Sequence, residues 1–390
     1  MTDKPTAAQG TPMAKRKQPM HPLSGSNLGT VVPLLVRNGG VRPGCLPQAA
    51  MAVLSALGRS PFTAAERVYT ARRLRRAPPM PPPVFIVGHW RSGTTHLYNV
   101  LSKAGFGFVS PMATGMPWDM LLLGSWLRPM IEKQLPEDRF VDAIPVNPDS
   151  PQEDEFALAN MIPLSFFHGV YFPKHLWRHF ERGVFFEGCS EREVAAWQDR
   201  FRYLLGKLAL AQGNRRLLIK NPVYTARVGM LHDMLPGAKF IHIHRNPYEV
   251  FESSRRFFGK MFEQLALQRY DRVDIDDFVL RSYPRLMDRL IADSAGLPAD
   301  TFVEIRYEDL DTDPLGTVEH VYRTLGLEDF AGARPVFEAY LASVRDFPKN
   351  PHRFTEEREA RVAAHWGRFI ERWGYAPPPA EPVRVAASGR

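Results

Sequence analysis

The segment Phe85-Ile-Val-Gly-His-Trp-Arg-Ser-Gly-Thr-Thr-His-Leu97 constrains the fold more than any other part of the chain. It opens with a short apolar run, the pattern of a strand buried on both faces of a parallel sheet. Gly88 breaks the run, and Gly93 follows five positions later. A helical pattern then extends from Thr94 to Lys103, with Gly105 placed to stop it. Strand, tight loop and helix start, in that order, leave unpaired backbone N–H groups at the positive end of a helix dipole. That is a cradle for an anion.

The loop reads G-x-x-x-x-G-T-T, which compares with the nucleotide-binding loop G-x-x-x-x-G-K-[ST]. Thr94 stands at the lysine position, and the positive charge comes earlier, as Arg91. A triphosphate-cleaving enzyme needs that lysine on the β- and γ-phosphates, with Mg²⁺ held nearby. A donor with only a 5′-phosphate joined to a sulfuryl group carries less charge. An arginine, hydroxyls and backbone amides suffice for it without metal. At Arg91-Ser92-Gly93-Thr94-Thr95 the chain resembles the sulfotransferase superfamily, whose 5′-phosphosulfate loop is written P-[KR]-S-G-T-T. The resemblance implies that these five residues bind 3′-phosphoadenosine 5′-phosphosulfate.

A second segment, Phe240-Ile-His-Ile-His-Arg-Asn-Pro-Tyr-Glu-Val-Phe-Glu-Ser253, has its own local physics. Phe240 to His244 reads as a strand. Asn246 suits an N-cap, Pro247 the first helical position, and Glu249 completes a pattern like a capping box. Arg245 then stands at the C-terminal end of a strand, where ligands of parallel sheets bind, with Ser253 about two turns into the helix. The superfamily's 3′-phosphate motif, R-[ND]-P-x-[ED]-x-x-x-S, matches at Arg245 and Ser253, and a guanidinium fork suits phosphate.

Lys220 ends a third apolar run, which Pro222 halts. Comparable sulfotransferases place a lysine there to stabilise the bridging oxygen, and some carry a catalytic histidine just after it. Asn221-Pro222 occupies that place here, so a base must come from elsewhere. Ser150-Pro-Gln-Glu-Asp-Glu-Phe156 resembles an S-P-Q-E-D-E-F pattern of a bacterial sulfotransferase branch. Glutamate is the base in several members of the superfamily, so the resemblance implies Glu153 as first candidate and Glu155 as second. Three acids before a helical pattern also suit plain helix-start chemistry. A desolvated carboxylate rises toward neutrality and becomes a competent base for a hydroxyl.

The charge is unevenly placed. Residues 1–80 hold twelve Lys and Arg against Asp3 and Glu66, so the net charge of +8 originates there. Residues 1–26 read as a disordered tail, 27–80 as a basic helical extension ending in Arg72, Arg73, Arg75 and Arg76, and 81–378 as the α/β domain. A flexible tail is expected over 379–390. The helical stretches expected in the extension are Val31–Val36, Leu46–Leu57 and Phe62–Arg76. The extension suits either a cap on the main domain or peripheral contact with an anionic membrane. Nucleic acid is not expected, because aromatic residues do not interleave the basic ones. Cys45 and Cys189 make no disulfide framework, which suits a reducing cytosol. No apolar run is long enough to span a bilayer, and no signal peptide is expected. The expected setting is therefore cytoplasmic, with peripheral contact at the inner membrane face.

Candidate strands are Val84–Val87, Phe106–Val109, Leu217–Lys220, Phe240–His244 and Phe302–Arg306. They predict a parallel sheet flanked by helices, like the fold around a P-loop. An aromatic-rich, mostly helical insertion over 110–216 is a candidate acceptor pocket or lid. Its aromatics and the basic extension favour a hydrophobic small molecule or lipid as acceptor. Among weaker candidates, His175 and His179 lack a third metal ligand, and no metal site is expected. His89 is a reserve base, and Asp313-Pro314 reads as a helix start after a Y-E-D-L segment. The carry-over of a donor-closing basic loop to Arg353 rests on composition of residues 349–358 alone. The expected activity is transfer of a sulfuryl group from 3′-phosphoadenosine 5′-phosphosulfate to a hydroxyl or amine. The rivals are a Mg²⁺-dependent nucleotide kinase and a non-catalytic, membrane-associated nucleotide-binding protein. Oligomeric state is left open.

Overall fold

The computed structural model of the protein describes residues 20–132, 150–345 and 354–377. Its helices and strands run α1 (Leu28–Arg37), α2 (Leu46–Leu74), β1 (Val84–Val87), α3 (Thr94–Leu101), α4 (Pro111–Gly115), α5 (Leu123–Glu132), α6 (Asp154–Met161), α7 (Phe167–Tyr171) and α8 (Leu176–Phe180). They continue with α9 (Glu191–Ala211), β2 (Leu218–Lys220), α10 (Val228–Met234), β3 (Lys239–His244), α11 (Pro247–Leu265) and α12 (Ile275–Ser294). The last are β4 (Phe302–Arg306), α13 (Tyr307–Thr312), α14 (Pro314–Leu325), α15 (Phe330–Val344) and α16 (Glu356–Arg372).

The four strands form one parallel sheet in the order β2-β1-β3-β4. All four residues of β1 are buried, as its unbroken apolar run requires at the centre of a doubly covered sheet. The period of two sorts successive side chains into two cores. Phe85, Val87, Ile219 and Phe240 join the core shared with α9, α11, α12 and α16. Val84, Ile86, Ile241 and Ile243 join the one shared with α3, α14 and α15. The C-terminal ends of β1, β2 and β3 thus bring Gly88, Lys220 and Arg245 to one edge, the edge at which parallel sheets bind ligands.

Three expectations change. Phe106–Val109 does not form a strand: only Gly107 bridges to Leu217. The Gln212 carboxamide takes both backbone groups of Phe108, accepting from its N–H at 3.0 Å and donating to its carbonyl at 2.9 Å, which removes them from any ladder. The extension's second and third helical stretches are one helix, α2, which runs through Pro61. Pro61 deprives the Leu57 carbonyl of its donor, but Leu57 lies on the exposed side, where solvent replaces the bond. The expected tail ends sooner than residue 26. Residues 22–25 form a buried turn, His21 bonds the Leu265 carbonyl, and Ser26 donates to Asn160 at 2.8 Å. Arg59 clamps this turn by donating to the carbonyls of Ser24 and Ser26 at 2.6 and 2.7 Å. The rest of that tail, residues 1–19, the expected C-terminal tail and Arg353 lie outside the described residues.

Among the described residues no helix is long and apolar enough to cross a membrane.

Candidate active site

The loop between β1 and α3 has the backbone its glycines require. Gly88 has φ +145°, and a Cβ there would collide with the Ile243 carbonyl of β3. Gly93 has φ +101°, and a Cβ there would enter the ring edge of Tyr307. Both conformations favour glycine. Arg91 also sits in the left-handed region at φ +72°, a costly setting for a long side chain and one that clusters at ligand-binding loops. From outside the loop, Thr225 accepts the Gly88 N–H at 2.8 Å and fixes its start. Gly93 is the N-cap of α3 and offers no capping side chain, so the first N–H groups of that helix remain available to an anion.

The segments after β1 and after β3 meet. Arg91 Nε donates to Ser253 Oγ at 3.0 Å, which joins the β1–α3 loop to α11. Ser254, the next residue, donates to the Trp90 carbonyl at 3.2 Å. Arg245, two residues before α11, pairs with Glu249 in its first turn and lies over the Tyr307 ring at 4.4 Å. That pairing changes the expected cap. Asn246 does accept the Tyr248 N–H at 3.1 Å. The reciprocal carboxylate is Glu308, which accepts the Asn246 N–H at 3.0 Å, because the guanidinium has claimed Glu249. Two polar atoms of these motifs, Ser92 Oγ and Arg245 Nε, are buried without a hydrogen-bond partner. Buried polar atoms are seldom left so, and phosphate oxygens are the partners that would satisfy them.

Lys220 connects this loop to the acidic segment. Its Nζ pairs with the Glu153 carboxylate and donates to Thr95 Oγ1 at 3.3 Å. The lysine side chain is 2% exposed and the glutamate side chain 11%. So Glu153, Lys220, Thr95, Arg91 and Ser253 form one connected strip along the sheet edge. Glu155 does not join it. It is buried, and accepts from Ser165 at 2.6 Å, from the Phe166 N–H at 3.1 Å and from Asn221 at 3.1 Å. Burial raises its carboxyl above the usual range, while the nearby Arg227 opposes the rise. Asp154 lies between them and is equally buried. It accepts from Asn221 at 2.9 Å and from the Tyr224 hydroxyl, and burial pushes it up to about 7.

The other candidates do not join this strip. His89 is buried with Nδ1 donating to the Trp90 carbonyl at 2.9 Å, and burial lowers it to about 4. His179 bonds Asn38 at 2.8 Å, and no group of acidic, histidine or cysteine side chains suited to a metal occurs among the described residues. His242 and His244 share one face of β3, bonded to Glu304 and Tyr375 at 2.8 Å each. Asp313 caps α14, accepting the Gly316 N–H at 3.0 Å, as expected of a helix start.

Residues 82–331 match the model of the Sulfotransferase family. The chain belongs to that family. It is 31% identical over 328 residues to the omega-hydroxy-beta-dihydromenaquinone-9 sulfotransferase Stf3 of Mycobacterium bovis, 82% of each chain. The Mycobacterium tuberculosis protein of the same name matches to the same extent. Among solved structures, sulfotransferase STF9 of Mycobacterium avium resembles it with a TM-score of 0.63 at 12% identity, over 90% of this chain and 97% of its own. Sulfotransferase STF1 of Mycobacterium tuberculosis H37Rv gives 0.56 at 19% identity, over 86% and 91%. The α/β fold with a parallel sheet is thus shared with solved sulfotransferases, and this protein is an enzyme of the sulfotransferase class.

Sequence reasoning missed two groups that shape this sulfotransferase's site. Asn221, read only as the absence of a catalytic histidine, ties Asp154 and Glu155 together through one carboxamide. Arg227 is buried, donates to the Val184 carbonyl at 2.9 Å, and lies 4.1 and 4.4 Å from the rings of Phe186 and Trp197. Both follow Lys220 within seven residues, so the signal available was a polar cluster at a strand end.

Proposed function

We propose that this sulfotransferase takes its sulfuryl group from 3′-phosphoadenosine 5′-phosphosulfate and delivers it to a hydroxyl of a hydrophobic, membrane-resident acceptor. The observation that carries the chemistry is the Lys220 ammonium set between Glu153 and Thr95. One residue of the donor loop, one cation and one carboxylate are thereby held in line of contact. When bound, the donor supplies an electrophilic sulfuryl group on a phosphate leaving group. Arg91, Ser92 and Gly93 with Thr94 and Thr95 hold the 5′ side, and Arg245 and Ser253 the 3′-phosphate. Glu153 receives the acceptor's hydroxyl proton on its carboxylate. Lys220 orients that carboxylate and lends positive charge beside Thr95, where negative charge builds up. Glu155 and Asp154, held by buried donors, keep the start of α6 in place.

The acceptor class rests on the Stf3 relatives, named as sulfotransferases of omega-hydroxy-beta-dihydromenaquinone-9. We assign this chain a related acceptor, a long-chain isoprenoid quinone bearing a hydroxyl. Such a molecule stays in the bilayer, so the enzyme works in peripheral contact with the cytoplasmic face of an anionic membrane. The test is a thermal shift with 3′,5′-ADP, 5′-AMP and ATP–Mg²⁺, followed by labelled sulfuryl transfer to hydroxylated quinones in detergent. 3′,5′-ADP should stabilise strongly and 5′-AMP weakly. Arg245→Ala should cost about 1.5–3 kcal/mol of 3′,5′-ADP binding, the scale of hydrogen bonds to charged groups. Equal effects of 3′,5′-ADP and 5′-AMP would reject the donor assignment.

A further inference from the structure

A pocket of about 260 Å³ opens where the α1–α2 turn meets the segments before α8 and after α11. Its walls include Gly39 and Gly40, with Arg42, Lys174 and Arg269 around them and Gln268 beneath. Three cations line it and no acid does. None of the three forms an ion pair among the described residues. Gln268 is 3% exposed. Its Nε2 donates to the carbonyls of Asn38 and Gly40 at 2.6 and 2.9 Å, so the amide orientation is fixed by two acceptors. Its Oε1 is buried and has no hydrogen-bond partner among the described residues. A ligand that satisfies this pocket has an anionic group for the cations and a hydroxyl or amine donor for that oxygen. The phosphate and polyol of an anionic phospholipid headgroup meet both needs.

The helix that leaves the pocket points to the same class. The buried face of α2 is Ala49, Ala52, Ala56, Thr63, Glu66 and Thr70. On the opposite face Ala50, Leu54, Leu57, Pro61, Ala65 and Val68 recur at spacings of three and four, and all are exposed. Leu54 is 61%, Leu57 56% and Val68 53% exposed. At 1.5 Å per residue this stripe is about 27 Å long. Glu66, the one acid of α2, is buried in a pair with Lys207, and Arg67, Arg72 and Arg73 of α2 with Arg75 and Arg76 just past its end form no ion pair among the described residues. An apolar stripe with cations at both ends is the pattern of a helix lying flat in the headgroup layer.

We infer that α2 and the Arg42–Lys174–Arg269 pocket together dock the enzyme on an anionic phospholipid bilayer, the pocket taking one headgroup phosphate and Gln268 its hydroxyl. The inference deepens the peripheral-membrane reading above and rests on it. The occupant is lipid rather than a second copy of the chain because both ends of the stripe carry the same sign of charge, which a symmetric pairing of parallel or antiparallel copies would bring together.

The experiment is co-sedimentation of the full chain with phosphatidylcholine vesicles, with and without phosphatidylglycerol. Glycerophosphoglycerol and inorganic phosphate serve as competitors. Wild type should bind only the mixed vesicles, less so as salt rises. Arg42→Ser/Lys174→Ser/Arg269→Ser should weaken binding on the order of a hundred-fold, from about 1 kcal/mol per surface cation. Leu54→Ser/Leu57→Ser/Val68→Ser should abolish it, and Arg289→Ser, on α12, should change nothing. The 3′,5′-ADP thermal shift of every variant reports folding, and its failure in wild type would strike the donor reading while leaving the vesicle result to decide this one. Equal binding to both vesicle types, or wild-type binding by the pocket variant, overturns the headgroup site. So does competition by inorganic phosphate as strong as by glycerophosphoglycerol, which makes it a free-phosphate site. A solution dimer that the stripe variant disperses assigns the face to a second copy instead.

Discussion

The pairing of Lys220 with Glu153 predicts that stability and rate respond in opposite ways to a double substitution. Lys220→Met leaves the Glu153 carboxylate in a site where its side chain is 11% exposed. At an effective dielectric constant of about 20, two charges about 4 Å apart attract by about 4 kcal/mol. Removing one partner of a buried pair costs about 3–5 kcal/mol, and the open edge of Glu153 sets the expected loss near the lower end, about 3 kcal/mol. Glu153→Gln added to Lys220→Met removes the stranded charge, so most of that loss should return. Activity should not return. Glu153→Gln alone should lower the rate about 10²–10⁴-fold by removing the base. Lys220→Met should lower it about 10²–10³-fold by removing charge from the transferring group. The double variant should be at least as slow as the slower single one. Denaturant unfolding and labelled sulfuryl transfer, measured on all four proteins, decide the matter. A double variant as unstable as Lys220→Met would refute the ion pair, and one that regains activity would refute both catalytic roles.

Three further outcomes are expected. Gly93→Ala forces a Cβ into Tyr307 at φ +101° and should weaken 3′,5′-ADP binding at least ten-fold, whereas Gly105→Ala, at φ +80° with open space around it, should cost stability alone; calorimetric titration separates the two. Lys207→Met strands the fully buried Glu66, which also holds the N–H groups of Leu121 and Leu122 at 3.0 and 2.8 Å, and should cost about 3–5 kcal/mol by chemical unfolding. Asp154 ionises at about 7 in the folded protein and at about 3.8 when unfolded, so its stabilising proton is fully held below pH 3.8 and lost as pH rises through 7. His89 and His168, lowered to about 4, act oppositely: their contribution is full above 6.5 and lost as pH falls toward 4. The melting temperature of Asp154→Asn minus that of wild type should therefore rise from pH 5 to pH 8, and a constant difference would show that Asp154 does not titrate there.

The loop after β1 and the helix start after β3 were legible because each is local: a strand end, a turn and a helix start lie within fourteen residues. The side-chain partners were not, since Ser253 accepts from Arg91 while Arg245 pairs with Glu249. Contacts that cross the sequence were not legible. Thr225 fixes Gly88 across 137 positions, and Glu308 completes the Asn246 cap across 62. Nothing near Gly88 or Asn246 announces either partner. The same holds for Gln212, which ended the expected strand at Phe108 from 104 positions away.

The acidic segment shows where local reasoning stops. Glu153 is the extended N-cap of α6, and Asp154 and Glu155, its first two helical residues, are turned by about 100° from each other, so the three acids do not share a destination. Glu153 meets Lys220, Asp154 meets Tyr224 and Asn221, and Glu155 meets Ser165 and the Phe166 N–H. A shift of the helix start by one residue would exchange these roles, and helix starts read from sequence are uncertain by that much. The fold settles the phase through Asn221, whose single carboxamide donates to both Asp154 and Glu155 and thereby turns Glu153 alone toward the lysine. Asn221→Leu should consequently lower activity through Glu153 without touching the donor site. The turnover number should fall while 3′,5′-ADP affinity stays that of wild type, and a parallel loss of both would make Asn221 merely a part of the core.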